Sequence, residues 1–310
     1  MKVEFQAGSD DDGRRFESVL RKLLPHQPLA SLHKALRQGD VRLNGAKAAA
    51  DARVRALDKI AVWDGLLNAP SPAAAAGAET PSVSALPSGW IVYEGTDLLV
   101  VDKPSGLLVH RGEGHRKADA PLDERVRVWL APSTAPSLSF RPGPLHRLDR
   151  ETSGLVVFSK TLLGARSFSE ALAHRLVTKV YLAVLRGHLD GPREVSDALS
   201  RDSATGTSSV DAEGEAALTR FRPLAQASGL TLAEVDLGSG RTHQIRVHAQ
   251  SLGLPLAGDT KYGGGPTPPG LDVPWLLHAW RLACDLLPPL TAALPAPRAA
   301  WVEKQFKIPL

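Results

Sequence analysis

Pro144-Leu145-His146-Arg147-Leu148-Asp149-Arg150-Glu151-Thr152-Ser153-Gly154-Leu155 sets one carboxylate, Asp149, between two arginines in a polar loop that runs directly into an apolar segment. That segment, Gly154 to Phe158, is a short β-branched and aromatic run bounded by polar residues, which predicts a strand. Similar runs precede it at Ile91-Val92-Tyr93 and Leu98 to Pro104, and follow it at Lys179 to Leu185, Ala216 to Pro223, Thr231 to Leu237 and His278 to Leu282. Apolar residues recurring at three and four predict helices over Asp123 to Leu130 and Leu162 to His174. Strands and helices do not alternate regularly, so the expected class is α+β with a central mixed, mainly antiparallel sheet, and not a βαβ repeat. Pro288, Pro289, Pro295 and Pro297 fragment the tail and leave its last strand or two unplaced.

Farther out, the N-terminal part has a different character. Phe16, Val19, Leu20, Leu23 and Leu24 fall at helical spacing, with Arg14, Arg15, Arg21 and Lys22 free to take the other side, and Pro25 and Pro28 end that helix. A second helix carries Leu32, Ala35 and Leu36 inward and His33, Lys34 and Arg37 outward until Gly39 breaks it. Val41 and Leu43 alternate with Arg42 into the Asn44-Gly45 turn, which predicts a strand and hairpin, with Val54 to Trp63 as a returning strand. This basic density suits phosphate binding, because local potential and several simultaneous contacts decide affinity. A solvated face on a small structural domain would read the same way. Asn68 to Ser88, rich in Ala, Pro and Ser with one charged residue, Glu79, reads as an interdomain linker.

Composition narrows the classes. The chain's 310 residues can bury a large core. The balance of 37 Lys and Arg against 33 Asp and Glu, a net +4, is a mild bias toward an anionic partner. One cysteine, Cys284, in an apolar setting excludes an internal disulfide framework and a Cys-rich zinc site. No run approaches the 18 or more apolar residues of a membrane span, and the acidic start is unlike a secretory signal, so a cytoplasmic protein is expected. His146, His243 and His248, with Asp102, Asp149 and Asp259, lack metal-ligand spacing, so no metal is expected.

On the residues alone, the guanidinium groups beside Asp149 favour its ionised form, as they would in catalysis or in a purely structural ion network. Arg241 and His243 lie two apart, which places them on one side if the segment is a strand, although Gly238 and Gly240 fit a tight turn equally well.

Taken together the motifs resemble a known family. His146-Arg147-Leu148-Asp149 with Thr152-Ser153-Gly154 is similar to the signature of the RluA-type RNA pseudouridine synthases. So, in order, are Asp102 to His110, Lys179 to Gly187, Gly238 to His248, Gly258 to Gly263 and Leu277 to Leu282. Gly13 to Glu17 and Leu36 to Gly45 resemble the small RNA-binding module named after ribosomal protein S4. The resemblance implies an S4-like module at 13–67, a linker at 68–88 and a pseudouridine synthase catalytic domain at 89–310.

It further implies that a uridine is cut at N1 from its ribose, turned in place and rejoined through C5, with no cofactor. Asp149 would attack or electrostatically assist at the ribose, or take part in deprotonation beside it. Arg246 matches the family's basic partner and would hold Asp149 through a bidentate pair. Tyr181 would stack on the detached uracil and aid proton transfer at C5, or else is a core strand tyrosine. Arg147 would fill the space left by the flipped nucleotide or hold a neighbouring phosphate. Arg241 and His243 would serve phosphate binding or scaffolding, and Arg14, Arg15, Lys34, Arg37 and Arg42 would bind RNA from the N-terminal module. The expected partner is structured RNA, large-subunit ribosomal RNA before transfer RNA, and the expected state a monomer. The rival reading is a noncatalytic RNA-binding or ribosome-assembly factor, which would tolerate loss of Asp149.

Overall fold

The computed structural model describes residues 1–67, 86–111, 120–132, 137–202 and 205–309; most of the linker expectation, 68–85, lies outside them. An N-terminal unit runs β1 (Lys2–Gln6), α1 (Phe16–Leu23), α2 (Leu29–Gln38), β2 (Val41–Leu43), β3 (Lys59–Trp63) and the single turn α3 (Asp64–Leu67). Its sheet order is β1-β3-β2, antiparallel throughout. Phe16, Val19, Leu20, Leu24, Leu32, Ala35 and Leu36 bury together against Val41, Ile60 and Val62. Gly39 closes α2 in the left-handed region at φ +81°, where a side chain would be strained. Two details depart from the sequence reading. The sheet begins at Lys2, ahead of the segment read as structured, and the strand after the Asn44-Gly45 turn shrinks to one bridge at Ala46; β2 pairs instead with β3, which lies within the returning strand expected over Val54 to Trp63.

The rest of the chain contributes β4 (Ile91–Glu94), β5 (Leu98–Lys103), α4 (Leu122–Leu130), β6 (Gly143–Pro144), β7 (Ser153–Ser159), α5 (Leu162–Ala173) and β8 (Thr178–Arg186). There follow β9 (Arg193–Val195), β10 (Ala198–Asp202), β11 (Thr207–Val210), β12 (Glu215–Ala216), β13 (Thr219–Ala227), β14 (Leu230–Leu237), α6 (Gln244–Ser251), β15 (Leu277–Cys284), β16 (Leu287–Thr291) and α7 (Ala296–Phe306). Ten strands form one sheet along the path β4-β5-β7-β15-β8-β14-β13-β9, with β16 on β15 and β6 on β7. Every pairing is antiparallel except β7 with β15, which makes the fold a mixed α/β one around a mostly antiparallel sheet. A small sheet, β11-β10-β12, stands beside it.

Both faces of the main sheet are covered, which explains why β7 is buried at all seven positions and reads as a continuous apolar run. One face carries Leu99, Val101, Val156, Phe158, Tyr181 and Val235 against Leu122 and Val126 of α4 and Ile245 and Ala249 of α6. The other sets Val100 and Val157 on Phe168 of α5, and Leu182, Val184 and Leu232 on Trp301 and Val302 of α7. Gly154 sits at φ +108°, and a Cβ there would lie 2.3 Å from the carbonyl oxygen of Ala279, its register partner on β15. Only glycine lets the two parallel strands approach so closely where the Asp149 loop enters the sheet.

The tail is ordered in spite of its prolines. Pro288 and Pro289 sit exposed on β16, which pairs on one side only and so loses nothing by lacking their N–H groups, while Pro297 lies in the first turn of α7.

The N-terminal unit is docked on the larger one. The buried Asp11 carboxylate accepts hydrogen bonds from the amides of Leu138 and Ser139, both 2.9 Å, and from the hydroxyls of Ser137 and Ser139. Arg14 Nη1 donates to Ser139 Oγ at 2.9 Å, and Asp10 accepts from the Leu162 amide at the start of α5. Leu138 meanwhile packs on the N-terminal core.

Candidate active site

A cavity of about 550 Å³ opens over the face of the main sheet that carries Tyr181, within the size range of small-molecule sites. Asp149 enters it from the loop ahead of β7, Tyr181 from β8 and Arg246 from α6. The structure therefore brings these three expected residues to one place.

The Asp149 loop is clamped from beneath by the turn after β5. Lys103 is fully buried, and its ammonium donates to the carbonyls of Pro104, Leu107 and Arg150 at 2.8–2.9 Å. Burial pulls that lysine down to about 7, against the pull of Glu151 and Asp149. The Gly106 amide donates to the Arg150 carbonyl, Arg150 Nε returns a bond to Gly106, and Ser105 Oγ donates to the Glu151 carbonyl. Leu148 is buried, so the residue beside it projects its carboxylate from an anchored backbone.

Arg246 does not pair with Asp149 in the bidentate manner expected from the sequence. Its Nε and Nη2 are taken by Asp259 at 2.6 and 2.8 Å, and Nη1 alone reaches Asp149, at 3.2 Å. Asp259 is fully buried and must be matched by a charge, so it takes the two-pronged edge of the guanidinium. Burial opposes the charge on Arg246, but the Asp259 bonds overcome it and raise its pKa. The cation is also stacked over the rings of Tyr262 (4.8 Å) and Trp275 (4.6 Å).

His243 Nε2 lies 3.8 Å from Asp149 Oδ1, and its Nδ1 is 2.8 Å from Tyr262 Oη. Burial holds this imidazole down to about 4, against the raising effect of Asp149, so it is neutral at pH 7. The Ser208 amide donates to the same Tyr262 oxygen. A tautomer with the proton on Nε2 accepts the Tyr262 hydroxyl at Nδ1 and turns an N–H toward Asp149. Tyr181 is buried, and burial together with the negative Asp149 raises its hydroxyl above the ordinary tyrosine range, leaving it protonated.

The remaining expected residues divide. Arg147 and Arg241 are exposed at the cavity, and Arg241 pairs with Glu215 at 2.6 Å. Arg241 and His243 lie in the turn that starts α6, with His243 in the left-handed region at φ +56°, so the turn reading holds and the strand reading does not. Arg15, Lys34, Arg37 and Arg42 are exposed on the N-terminal unit, whereas Arg14 is spent on Ser139. The arginines flanking Asp149 in sequence are not its counter-ions: Arg150 turns to Gly106, and the nearest cation comes from α6.

Several site residues had no assigned part in the sequence reading. Asp259, Tyr262 and Lys179 all lay inside quoted motifs, but nothing in their spacing revealed their partners. Lys179 lines the cavity, donates to the Ser239 carbonyl at 3.0 Å and is drawn down to about 8 by burial, against the opposite effect of Asp236. Among the described residues no group of three His, Cys, Asp or Glu could hold a metal ion, and no helix is long and apolar enough to cross a membrane.

Comparison with known proteins bears on the chemistry. Residues 97–251 match the RNA pseudouridylate synthase family. Over 269 residues the chain is 32% identical to the uncharacterized RNA pseudouridine synthase YlyB of Bacillus subtilis, covering 84% of this chain and 83% of that protein. It is 33% identical over 290 residues to ribosomal large subunit pseudouridine synthase D of Nitrosomonas europaea, covering 90% of this chain and 79% of that one. Among solved structures, human RNA Pseudouridylate Synthase Domain Containing 1 aligns with a TM-score of 0.52 at 28% identity, over 67% of this chain and 83% of the human one. The chain belongs to the RNA pseudouridylate synthase family.

Proposed function

We propose that this RNA pseudouridine synthase is of the RluA type, isomerises specific uridines of large-subunit ribosomal RNA, and uses Asp149 as its catalytic carboxylate. The observation that carries the reading is the convergence of Asp149, Arg246 and Tyr181 on one nucleotide-sized cavity, with Arg246 Nη1 3.2 Å from Asp149. Similarity to ribosomal large subunit pseudouridine synthases supports the choice of RNA.

In this reading the target uridine leaves its stack and enters the cavity, with Arg147 at the mouth occupying the gap or a neighbouring phosphate. Asp149 acts at the ribose while Arg246, held by Asp259, keeps it ionised and aimed. The Tyr181 ring, fixed in β8, supports the uracil while it turns, and its protonated hydroxyl serves the exchange of the C5 proton. Lys179 adds a donor on the cavity wall. The N-terminal unit, read as an S4-like module over 13–67, presents Arg15, Lys34, Arg37 and Arg42 as a second RNA contact, and Asp11 fixes that face relative to the site. Arg14 secures the same junction.

The test maps pseudouridine, by a chemistry specific to it, in large-subunit RNA from cells with the intact gene, without it, and with Asp149→Asn. One or a few sites should disappear in both altered strains. Persistence of every site despite verified absence of the protein would overturn the assignment to this RNA, and their persistence with Asp149→Asn alone would favour a different catalytic group.

A further inference from the structure

Beside the active-site cavity lies a second one of about 470 Å³, lined by the small sheet β10 to β12. The two share a wall made of Gly240, Arg241 and Thr242. The lining combines polar Ser200, Arg201, Ser208 and Glu215, which suit a sugar and phosphate, with apolar surface that includes Leu199, which suits the face of a base. Its size suits one nucleotide, and its place suits a nucleotide joined to whatever occupies the first cavity.

Arg241 stands on the shared wall and is held by Glu215 at 2.6 Å, with side chains 40% and 69% exposed. So open a pair is weak, and a backbone phosphodiester, which offers guanidinium the same two-oxygen geometry and the same single charge, can take the place of the carboxylate. The hairpin carrying the cavity is anchored to the catalytic side: the Ser208 amide donates to Tyr262 Oη, and Lys261 donates to the Gly206 carbonyl at 2.9 Å. The cavity therefore keeps its position relative to His243 and Asp149.

We infer that the second cavity receives the nucleotide adjoining the target uridine, and that Arg241 exchanges Glu215 for the phosphate linking the two. This rests on the isomerase reading above and names a part of the substrate that the reading leaves open. Glu215 is then a latch: it keeps Arg241 on the shared wall in the free enzyme, and a strand that brings no phosphate to that point leaves the pair closed.

The test is a binding cycle on the full-length protein with a labelled short RNA strand that carries one uridine at its centre. Glu215→Gln should tighten binding about two- to fivefold, the weight of one exposed ion pair. In an Arg241→Gln background the same change should do almost nothing, and Arg241→Gln alone should lower the slope of log affinity against log salt by about 0.7, one single-strand phosphate contact. Strands ending at the uridine on its 5′ or its 3′ side should separate, one keeping the Glu215→Gln effect and the other losing it. Equal tightening in both arginine backgrounds would mean general repulsion and overturn the proposal, as would an effect that survives both truncations. Pseudouridine formation by the unsubstituted protein is read in parallel. A protein that passes the cycle but makes no pseudouridine defeats the isomerase reading alone, and one that makes it but fails the cycle defeats only the second cavity.

Discussion

Asp259→Asn and Asp149→Asn should separate stability from chemistry. Arg246 and Asp259 meet through bonds of 2.6 and 2.8 Å, with side chains 5% and 0% exposed, so removing the Asp259 charge leaves a guanidinium buried without its match. Breaking such a pair costs about 3–5 kcal/mol. Unfolding entropy of about 2.1 cal/mol/K per residue gives about 0.65 kcal/mol/K for 310 residues, so Tm should fall by about 5–8 °C. Asp149 makes one bond to the same guanidinium, at 3.2 Å, and its side chain is 19% exposed. Its loss costs about 1 kcal/mol, or about 2 °C, because Arg246 keeps Asp259. Activity should order differently. Asp149→Asn removes the proposed reacting group and should abolish isomerisation, while Asp259→Asn releases only the aim of Arg246 and should slow it by up to about 10²-fold. Thermal unfolding and single-turnover release of tritium from C5 of labelled uridine read the two effects. Equal Tm losses for both variants, or an Asp259→Asn protein with the parent rate, would refute this division of labour.

Two other predictions follow from separate features. Tyr181→Phe keeps the ring and its packing but loses the hydroxyl, so it should lower kcat with little change in KM, whereas an equal fall for substrate affinity would mean that the ring's position had moved. Burial works to raise the Asp11 carboxyl, but hydrogen bonds from Leu138, Ser139, Gly8 and Ser137 outweigh it and leave its pKa below the ordinary value. Docking of the N-terminal unit is therefore fully supported above the unfolded pKa of about 3.9 and weakens as pH falls through the lower folded value. Asp11→Asn should reproduce the acid effect at neutral pH, seen as faster hydrogen exchange at the Leu138 and Ser139 amides, and unchanged exchange there would remove Asp11 as the fastener.

How far the sequence could be read depended on the range over which each interaction is encoded. β5, β7, β8 and β14 were legible because strands covered on both faces are buried at most positions and carry apolar runs. β1 was not, because Lys2, Val3, Glu4 and Gln6 are exposed and only its pairing with β3 makes it a strand. Prolines signalled breaks at the C-terminus, yet on an edge strand and in a helix's first turn they interrupt nothing. Gln244–Ser251 went unread as a helix because polar Gln244, Arg246, His248 and Gln250 alternate with Ile245, Val247 and Ala249 at the two-residue period of a strand.

At the candidate site the sequence named residues that the structure brings together, but not how they pair. Motif order gathers Asp149, Arg246 and Asp259, but spacing cannot say which carboxylate takes the two-pronged edge of the arginine. Burial decides it. A carboxylate sealed from water at 0% exposure must be neutralised by charge and by two good hydrogen bonds, or the fold loses several kcal/mol. Asp149, partly exposed and open to the cavity, carries no such requirement, and one guanidinium bond at 3.2 Å is enough to orient it. The consequence is chemical. An Asp149 locked in a bidentate pair would have both oxygens committed and would resist any step that consumes its charge. Held by one prong, it keeps lone pairs free toward the cavity, while the cation that stabilises it stays anchored elsewhere whether Asp149 is charged, bonded or protonated.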